Sequence, residues 1–358
     1  MHKRFEALDA FRGLAALMVA IFHFNVIGVI SELTIIRNSF FFVDFFFVLS
    51  GFVISYSSIN KLSNINDVKS FTVKRFARIW PLHIFMVLLF IPFALVNIFV
   101  GVDFGDRFSL YSFIASFFLI QSFVMIGDSW NIPAWSISTE FYTYIIFAFL
   151  WLLPLFRNKL ILSITIIFIS FIFIRFGFGI NISIFRCLAS FFLGHLAFRY
   201  YRKINVKPWM EWAILGVVIS LLSHSQNDDL TYIMPFSFFF LVVIFSHETG
   251  SISTILKGKH FQMLGLLSYS IYLTHLWFVA CLKSLSIITN KLINYQFMYT
   301  IDGVRKIDFG FGFNDFIFIP FLAVVVITSK FTYQFIEVKS QQYINGIYFN
   351  KTRSYKNR

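Results

Sequence analysis

Apolar stretches follow one another along almost the whole chain, near 8–28, 39–58, 79–101, 109–126, 138–156, 160–176, 182–200, 210–223, 231–247, 263–283 and 313–336. Most are close to the ~20 residues that a helix needs to cross a bilayer, although 210–223 is short. A water-soluble fold of this length needs one buried core and a charged surface. Here 58% of 358 residues are hydrophobic, 13% are charged, and the mean hydropathy is +0.77. The outside of the molecule must then be apolar too, and the chain reads as an all-α integral membrane protein. The 53 Phe residues suit bulky helices facing lipid.

The formal charge of +13 does not point to nucleic acid, because the basic residues gather at segment ends and in short loops, as the positive-inside rule requires. Lys3 and Arg4, then Lys61, Lys69, Lys74, Arg75 and Arg78 mark the inner face. So do Arg157 and Lys159, Arg202, Lys203 and Lys207, Lys257 and Lys259, and the tail with Lys351, Arg353, Lys356 and Arg358. Asp103, Asp106, Asp228 and Asp229 fall outside. Two apolar segments lie between Asp103 and Arg157, yet the chain must cross there an odd number of times. The expectation is a bundle of about ten transmembrane helices, both termini cytoplasmic, with 109–126 as an additional apolar segment that does not fully span. GDSWNIPAWSISTE, 127–140, then lies at the outer side, with Trp130 and Trp135 at the interface.

The N-terminal run reads as an uncleaved first span, because Arg12 interrupts it and no clear cleavage site follows. The outer loop near 284–312 is mixed in charge and expected to be partly ordered. No internal repeat is visible, which weighs against repeat-built transporters. Cys187 and Cys281 form neither a zinc spacing nor a disulfide framework.

Ionisable residues inside apolar spans are costly and face cavities or the bundle interior. Arg12 and His23 share one helix face and lie about 16 Å apart along the axis. Arg12 can snorkel to headgroups. His23 can serve as a general base or simply hydrogen-bond a neighbouring helix. Asp44, ringed by Phe, can reach His23, line the same cavity or cap its own helix, and Ser50 and Gly51 allow close approach by another helix or a ligand. Arg75 and Arg78, with Lys74, open the third span. They follow the positive-inside rule and also suit a phosphate-rich ligand, since guanidinium binds phosphate through paired hydrogen bonds. Glu140 begins the fifth apolar segment, either as a dipole-favoured helix start or at the depth of His23 as its partner. His275 lies in a hydroxylated stretch with Ser268, Ser270, Tyr272 and Thr274, which fits inter-helix hydrogen bonding. Arg186 and His195 occupy the seventh segment, and Glu337 ends the last.

Together these stretches resemble the acyltransferase-3 family of membrane acyltransferases, which includes bacterial polysaccharide O-acetyltransferases. LDAFRGLAALMVAIFHF carries the basic residue, ten intervening residues and histidine. FFVDFFFVLSGFVI, the Arg-x-x-Arg pair of VKRFARIWPL, NIPAWSISTEFY and LGLLSYSIYLTH follow in order. FIEVKS departs from the family's terminal pattern by having Val338–Lys339 where Pro is common. The resemblance implies a transmembrane acyltransferase domain over 1–340 and a basic cytoplasmic tail over 341–358. It implies transfer of an acetyl or short acyl group from cytoplasmic acyl-CoA to a hydroxyl of a cell-surface glycan or its lipid-linked precursor, in a bacterial inner membrane.

The site would be His23 with Glu140 and Asp44 for catalysis, and Arg12, Arg75 and Arg78 for the phosphates of acetyl-CoA. The pantetheine arm would span the distance from Arg12 to His23. Ser268, Tyr272 and His275 are candidates for stabilising the oxyanion. No metal is expected. The competing reading is a transporter that exports an anionic lipid or glycan unchanged.

Overall fold

Four polar groups fix where the third apolar segment begins. Asn64 accepts hydrogen bonds from the amides of Asn66 and Asp67 at 2.9 and 3.1 Å, and Asp67 accepts one from the Asn64 amide at 3.1 Å. This capping box starts a helix at Ile65, well before the apolar run at 79. Arg75 and Arg78 therefore sit inside a helix, not at its opening, and point along the bundle.

The computed structural model describes residues 3–100, 105–125, 128–153, 159–178, 181–224, 229–301, 304–310 and 314–356. Asp103, Arg157, Asp228 and Arg358, used above for orientation, lie outside the described residues, as do the side chains of Lys351, Arg353 and Lys356. The first helices are α1 (Glu6–His23), α2 (Val29–Glu32), α3 (Thr34–Arg37), α4 (Phe42–Ser58), α5 (Ile65–Leu89), α6 (Ile91–Val100), α7 (Leu110–Phe117) and α8 (Gln121–Val124). There follow α9 (Trp135–Leu152), α10 (Lys159–Phe176), α11 (Ser183–Tyr200), α12 (Trp209–Leu222), α13 (Leu230–Phe245), α14 (Ser251–Leu256) and α15 (Lys259–Ile293). A hairpin of β1 (Met298–Ile301) and β2 (Val304–Ile307) precedes α16 (Phe318–Thr332) and α17 (Lys339–Lys356). Among the described residues, five stretches are long and apolar enough to cross a membrane: Thr34–Lys61, Ile65–Leu95, Lys159–Phe176, Lys259–Ile293 and Asn314–Phe349. The fold is that of an all-α membrane protein.

Small residues set the closest contacts. The buried face of α1 is Ala7, Ala10, Gly13, Ala16 and Ala20, with Leu8 and Val19, a spacing that lets another helix approach closely. That helix is α15: Gly13 faces the backbone of Leu264 and Gly265, and Gly265 faces the carbonyl of Asp9. A second pair, α4 and α11, repeats the device reciprocally. Gly51 lies against the Phe191 carbonyl and Gly194 against the Val48 carbonyl, so the close approach expected at Gly51 is made. The rest of the core is largely phenylalanine, including fully buried Phe45, Phe47, Phe52, Phe191, Phe238 and Phe245.

The segment 109–126 does not form one helix. It breaks into α7 and α8, of eight and four residues, with Leu119 between them at φ 59°. Eight helical residues rise only ~12 Å, against the ~30 Å of a hydrocarbon core.

The stretch after it corrects the sequence reading. Trp130 is buried against Phe108 and Phe113, each 5.3 Å away centroid to centroid, and packs into the protein instead of facing outward. Buried Asn131 donates from Nδ2 to the Leu273 carbonyl at 3.1 Å. Helix α9 thus begins within the bundle, already at the level of Leu273.

The loop after α15 is ordered as the hairpin, with Met298 opposite Ile307 and Ile301 opposite Val304. Ile307 bonds through its backbone to Asn25 and Ile27, tying the hairpin to the exit of α1. The segment expected as a basic tail is helical over its described part. It continues as α17, packed against α5, with Lys74 Nζ 5.0 Å from the Phe349 ring. A π-helical turn, Tyr333–Val338, joins α16 to α17 and buries Glu337.

Candidate active site

Two cavities lie between α1, α4, α9 and α15. The first, of about 140 Å³, is lined by Arg12, Arg75 and Arg78, with Ser50, Glu140, Tyr144, Ser268 and Tyr269 among its other walls. The capping box of α5 and the glycine contact of α1 with α15 bring these three arginines together. Arg12 is aimed by α15: its Nε donates to Ser268 Oγ at 2.8 Å and its Nη2 to the Gly265 carbonyl at 2.9 Å. Asp9 lies 3.5 Å from Arg12. Among the described residues neither Arg75 nor Arg78 forms an ion pair. Arg75 stacks over Phe71, and its buried Nε has no hydrogen-bond partner. Three guanidinium groups around one cavity, two of them without an ion pair among the described residues, fit an anionic ligand with several oxygens.

Glu140 belongs to this cavity and does not accompany His23. Its Oε1 accepts from the Tyr144 hydroxyl at 2.6 Å, and that hydroxyl lies 2.5 Å from Ser50 Oγ. The physical reason is the buried start of α9, which carries Glu140 more than a turn deeper than the level where Asn131 meets Leu273. Tyr144 was not singled out in the sequence, although its position four residues from Glu140 places both on one helix face. Glu337 is also buried and accepts from Ser270 Oγ at 3.2 Å.

The second cavity, of about 410 Å³, is lined by His23, Gln121, Asp128, Trp135, Asn181 and Arg186, with Ser122, Ser129 and Ser183 adding hydroxyls. His23 is the last residue of α1. Its Nδ1 lies 2.9 Å from the Val19 carbonyl and 3.2 Å from His275 Nε2. His275 Nδ1 in turn lies 3.2 Å from the Ile271 carbonyl. A carbonyl only accepts, so both Nδ1 atoms carry their protons. The contact between the rings then runs from His23 Nδ1–H to His275 Nε2. His23 Nε2 is left with its lone pair, the state a general base needs. The inter-helix bond expected of His275 is therefore made, and its partner is His23 itself.

Asp44 does not reach His23 either. It is 1% exposed, accepts from Arg186 Nη2 at 2.6 Å, and receives Ser190 Oγ at 3.3 Å. Burial of a carboxylate among phenylalanines demands such a partner. Arg186, stacked over Trp135 with its Cζ 5.6 Å from the ring, lines the cavity of His23. His195 is remote from both cavities' chemistry, bonded to Ser55 Oγ at 2.9 Å. The two cavities share Val43 and Tyr272 in their walls. Among the described residues no cluster of three or more His, Cys, Asp or Glu is arranged to hold a metal ion.

Comparison with known proteins identifies the family. The acyltransferase-3 family model, described as an acyltransferase domain, matches residues 5–333. A protein of Acidianus two-tailed virus, ORF330, named as an acetyltransferase, is 24% identical over 304 residues, which cover 77% of this chain and 84% of the viral one. The peptidoglycan O-acetyltransferase OatA of Listeria monocytogenes is 24% identical over 313 residues, covering 76% of this chain and 49% of OatA. The acyltransferase MdmB of Streptomyces mycarofaciens is 34% identical over 111 residues, 29% of this chain and 26% of its own. The chain thus spans most of the viral protein and about half of OatA. No solved structure matches. A family match over residues 5–333 includes both cavities and every helix that lines them: the chain belongs to the acyltransferase-3 family and is an acyltransferase.

Proposed function

We propose that this protein is a membrane-embedded O-acyltransferase. It moves an acetyl or other short acyl group from acyl-CoA to a hydroxyl of a cell-surface glycan or its lipid-linked precursor. The observation that carries this reading is the meeting of the two cavities at Tyr272 and Val43, one ringed by arginines and the other holding His23. The name of OatA supports a glycan acceptor and an acetyl group.

Arg12, Arg75 and Arg78 hold the phosphates of the donor, and the pantetheine arm runs along α1 toward His23, a rise of ~16 Å. The acceptor hydroxyl enters the larger cavity, where Trp135, Asn181, Arg186 and Gln121 offer an aromatic face and polar groups suited to a sugar. Its oxygen attacks the thioester carbonyl carbon while its proton passes to His23 Nε2. The C–S bond breaks, and the departing sulfur takes a proton to leave as the free thiol. Direct attack keeps His23 as base, whereas acylation of His23 first is the alternative chemistry at the same atom. His275 fixes the ring and spreads the charge that His23 gains. Asp44 acts through Arg186, holding it toward the acceptor. Glu140, bonded to Tyr144 among the arginines, orients that ring of charge and is not the partner of the base.

The ten helices α1, α4, α5, α9, α10, α11, α12, α13, α15 and α16 serve as the ten spans. The positive-inside pattern supports cytoplasmic termini and a cytoplasmic mouth for the arginine cavity, and the family resemblance favours a bacterial inner membrane.

The test is acyl-CoA-dependent release of CoA by the purified protein in lipid, with labelled acyl group and candidate glycans. Wild type should release CoA and label the acceptor, and His23→Ala should do neither while still binding donor. Full turnover by His23→Ala would remove the base from the proposal, and absence of any acyl-CoA binding would favour export of an unmodified substrate.

A further inference from the structure

The junction between the two cavities is made by Tyr272 and Val43. Tyr272 is 4% exposed. Its ring meets Phe46 edge-on at 5.6 Å and lies 6.1 Å from the ring of His275. Its hydroxyl is 3.0 Å from the Pro133 carbonyl and 2.8 Å from Ser136 Oγ, and Ser136 Oγ is itself 3.0 Å from the same carbonyl. The Pro133 carbonyl oxygen, with its two lone pairs, is thus within reach of both hydroxyls. If Tyr272 leaves, Ser136 still satisfies Pro133, and no buried backbone group is orphaned. Displacing the phenol therefore costs Tyr272 its own hydrogen bond and leaves the Pro133 carbonyl paired with Ser136. Val43 is β-branched and stiff about χ1, so the movable part of the wall is the phenol.

We propose that Tyr272 is a removable partition between the cavities. It swings aside to admit the acyl end of the donor, and the gap it leaves sets the acyl length that the enzyme accepts. When closed, it separates water in the polar cavity of His23 from a thioester held on the arginine side. The inference rests on the reading of the arginine cavity as the donor site.

The partition is tested without any substrate. A single cysteine replaces Ser50, in the arginine cavity, in a chain also carrying Cys187→Ala and Cys281→Ser. A charged, membrane-impermeant thiol reagent is applied to each face of sealed vesicles. Tyr272→Ala should open a labelling face that the Tyr272 chain lacks, and identical labelling of the two chains would overturn the proposal. Turnover gives a second reading. Tyr272→Ala should lower the preference for acetyl-CoA over hexanoyl-CoA at least roughly tenfold, the size expected of methylene groups in an apolar passage. It should also raise acceptor-independent hydrolysis, whereas Tyr272→Phe, which keeps the ring, should retain the acetyl preference. An unchanged preference in Tyr272→Ala would remove the length-setting role. If wild type turns over no acyl-CoA, the donor assignment fails, and the thiol labelling still judges the partition on its own.

Discussion

Two backbone carbonyls decide which nitrogen of His23 is available. Val19 and Ile271 each take an Nδ1 proton, and the histidine pair is left with one lone pair, on His23 Nε2. Loss of His23 should lower the transfer rate by about 10²–10⁴-fold, the contribution of a positioned base, with no loss of the folded protein in a thermal-shift assay. His275→Ala removes only the orienting partner and should cost about 10–100-fold, measured by the same label transfer. The pair Asp44–Arg186 predicts a different outcome. Asp44→Ala leaves the half-buried Arg186 guanidinium without its ion pair and should destabilise by roughly 1–3 kcal/mol, while the double change with Arg186→Leu should recover most of it. Differential scanning of the three variants measures this. The sequence singled out His23, Arg12, Arg75 and Arg78 because charge inside an apolar run is costly. It could not supply partners for Glu140 and Asp44, because depth along a helix says nothing of which neighbour lies beside it.

At the scale of elements, the glycines divide into two kinds. Gly51 and Gly194 are pressed against carbonyls of the opposing helix, whereas a Cβ at Gly216 meets nothing within 4 Å. Gly51→Ala should cost roughly 1–3 kcal/mol through overpacking between α4 and α11. Gly216→Ala, within α12, should gain up to ~1 kcal/mol from helix propensity. Thermal unfolding in detergent compares the two directly. The pattern of apolar segments was enough to read a helical membrane bundle, and chain parity required only that the two segments between Asp103 and Arg157 make one crossing between them. What escaped was the start of α5 at Ile65 and the buried start of α9. Both are set by polar contacts, the first a local cap and the second a single amide reaching Leu273, and the hydrophobic pattern carries no trace of the second.

For the molecule as a whole, the fold gathers three dispersed arginines around one cavity and sets His23 in the wall of the neighbouring one. Charge-assisted hydrogen bonds contribute about 1.5–3 kcal/mol each. Arg75→Ala with Arg78→Ala should therefore raise the KM for acyl-CoA at least about 100-fold and change kcat little, as steady-state kinetics would record. Gly265 adds a constraint of another kind. Its missing side chain admits the Asp9 carbonyl, and its own carbonyl receives Arg12. One position thus governs both the distance between α1 and α15 and the aim of Arg12. Under the proposed donor role of Arg12, a lineage of such enzymes cannot adjust its hold on the donor there without also re-spacing the two helices that carry His23 and His275. Change at this point is pleiotropic, and new donor specificities would have to evolve through α5 instead.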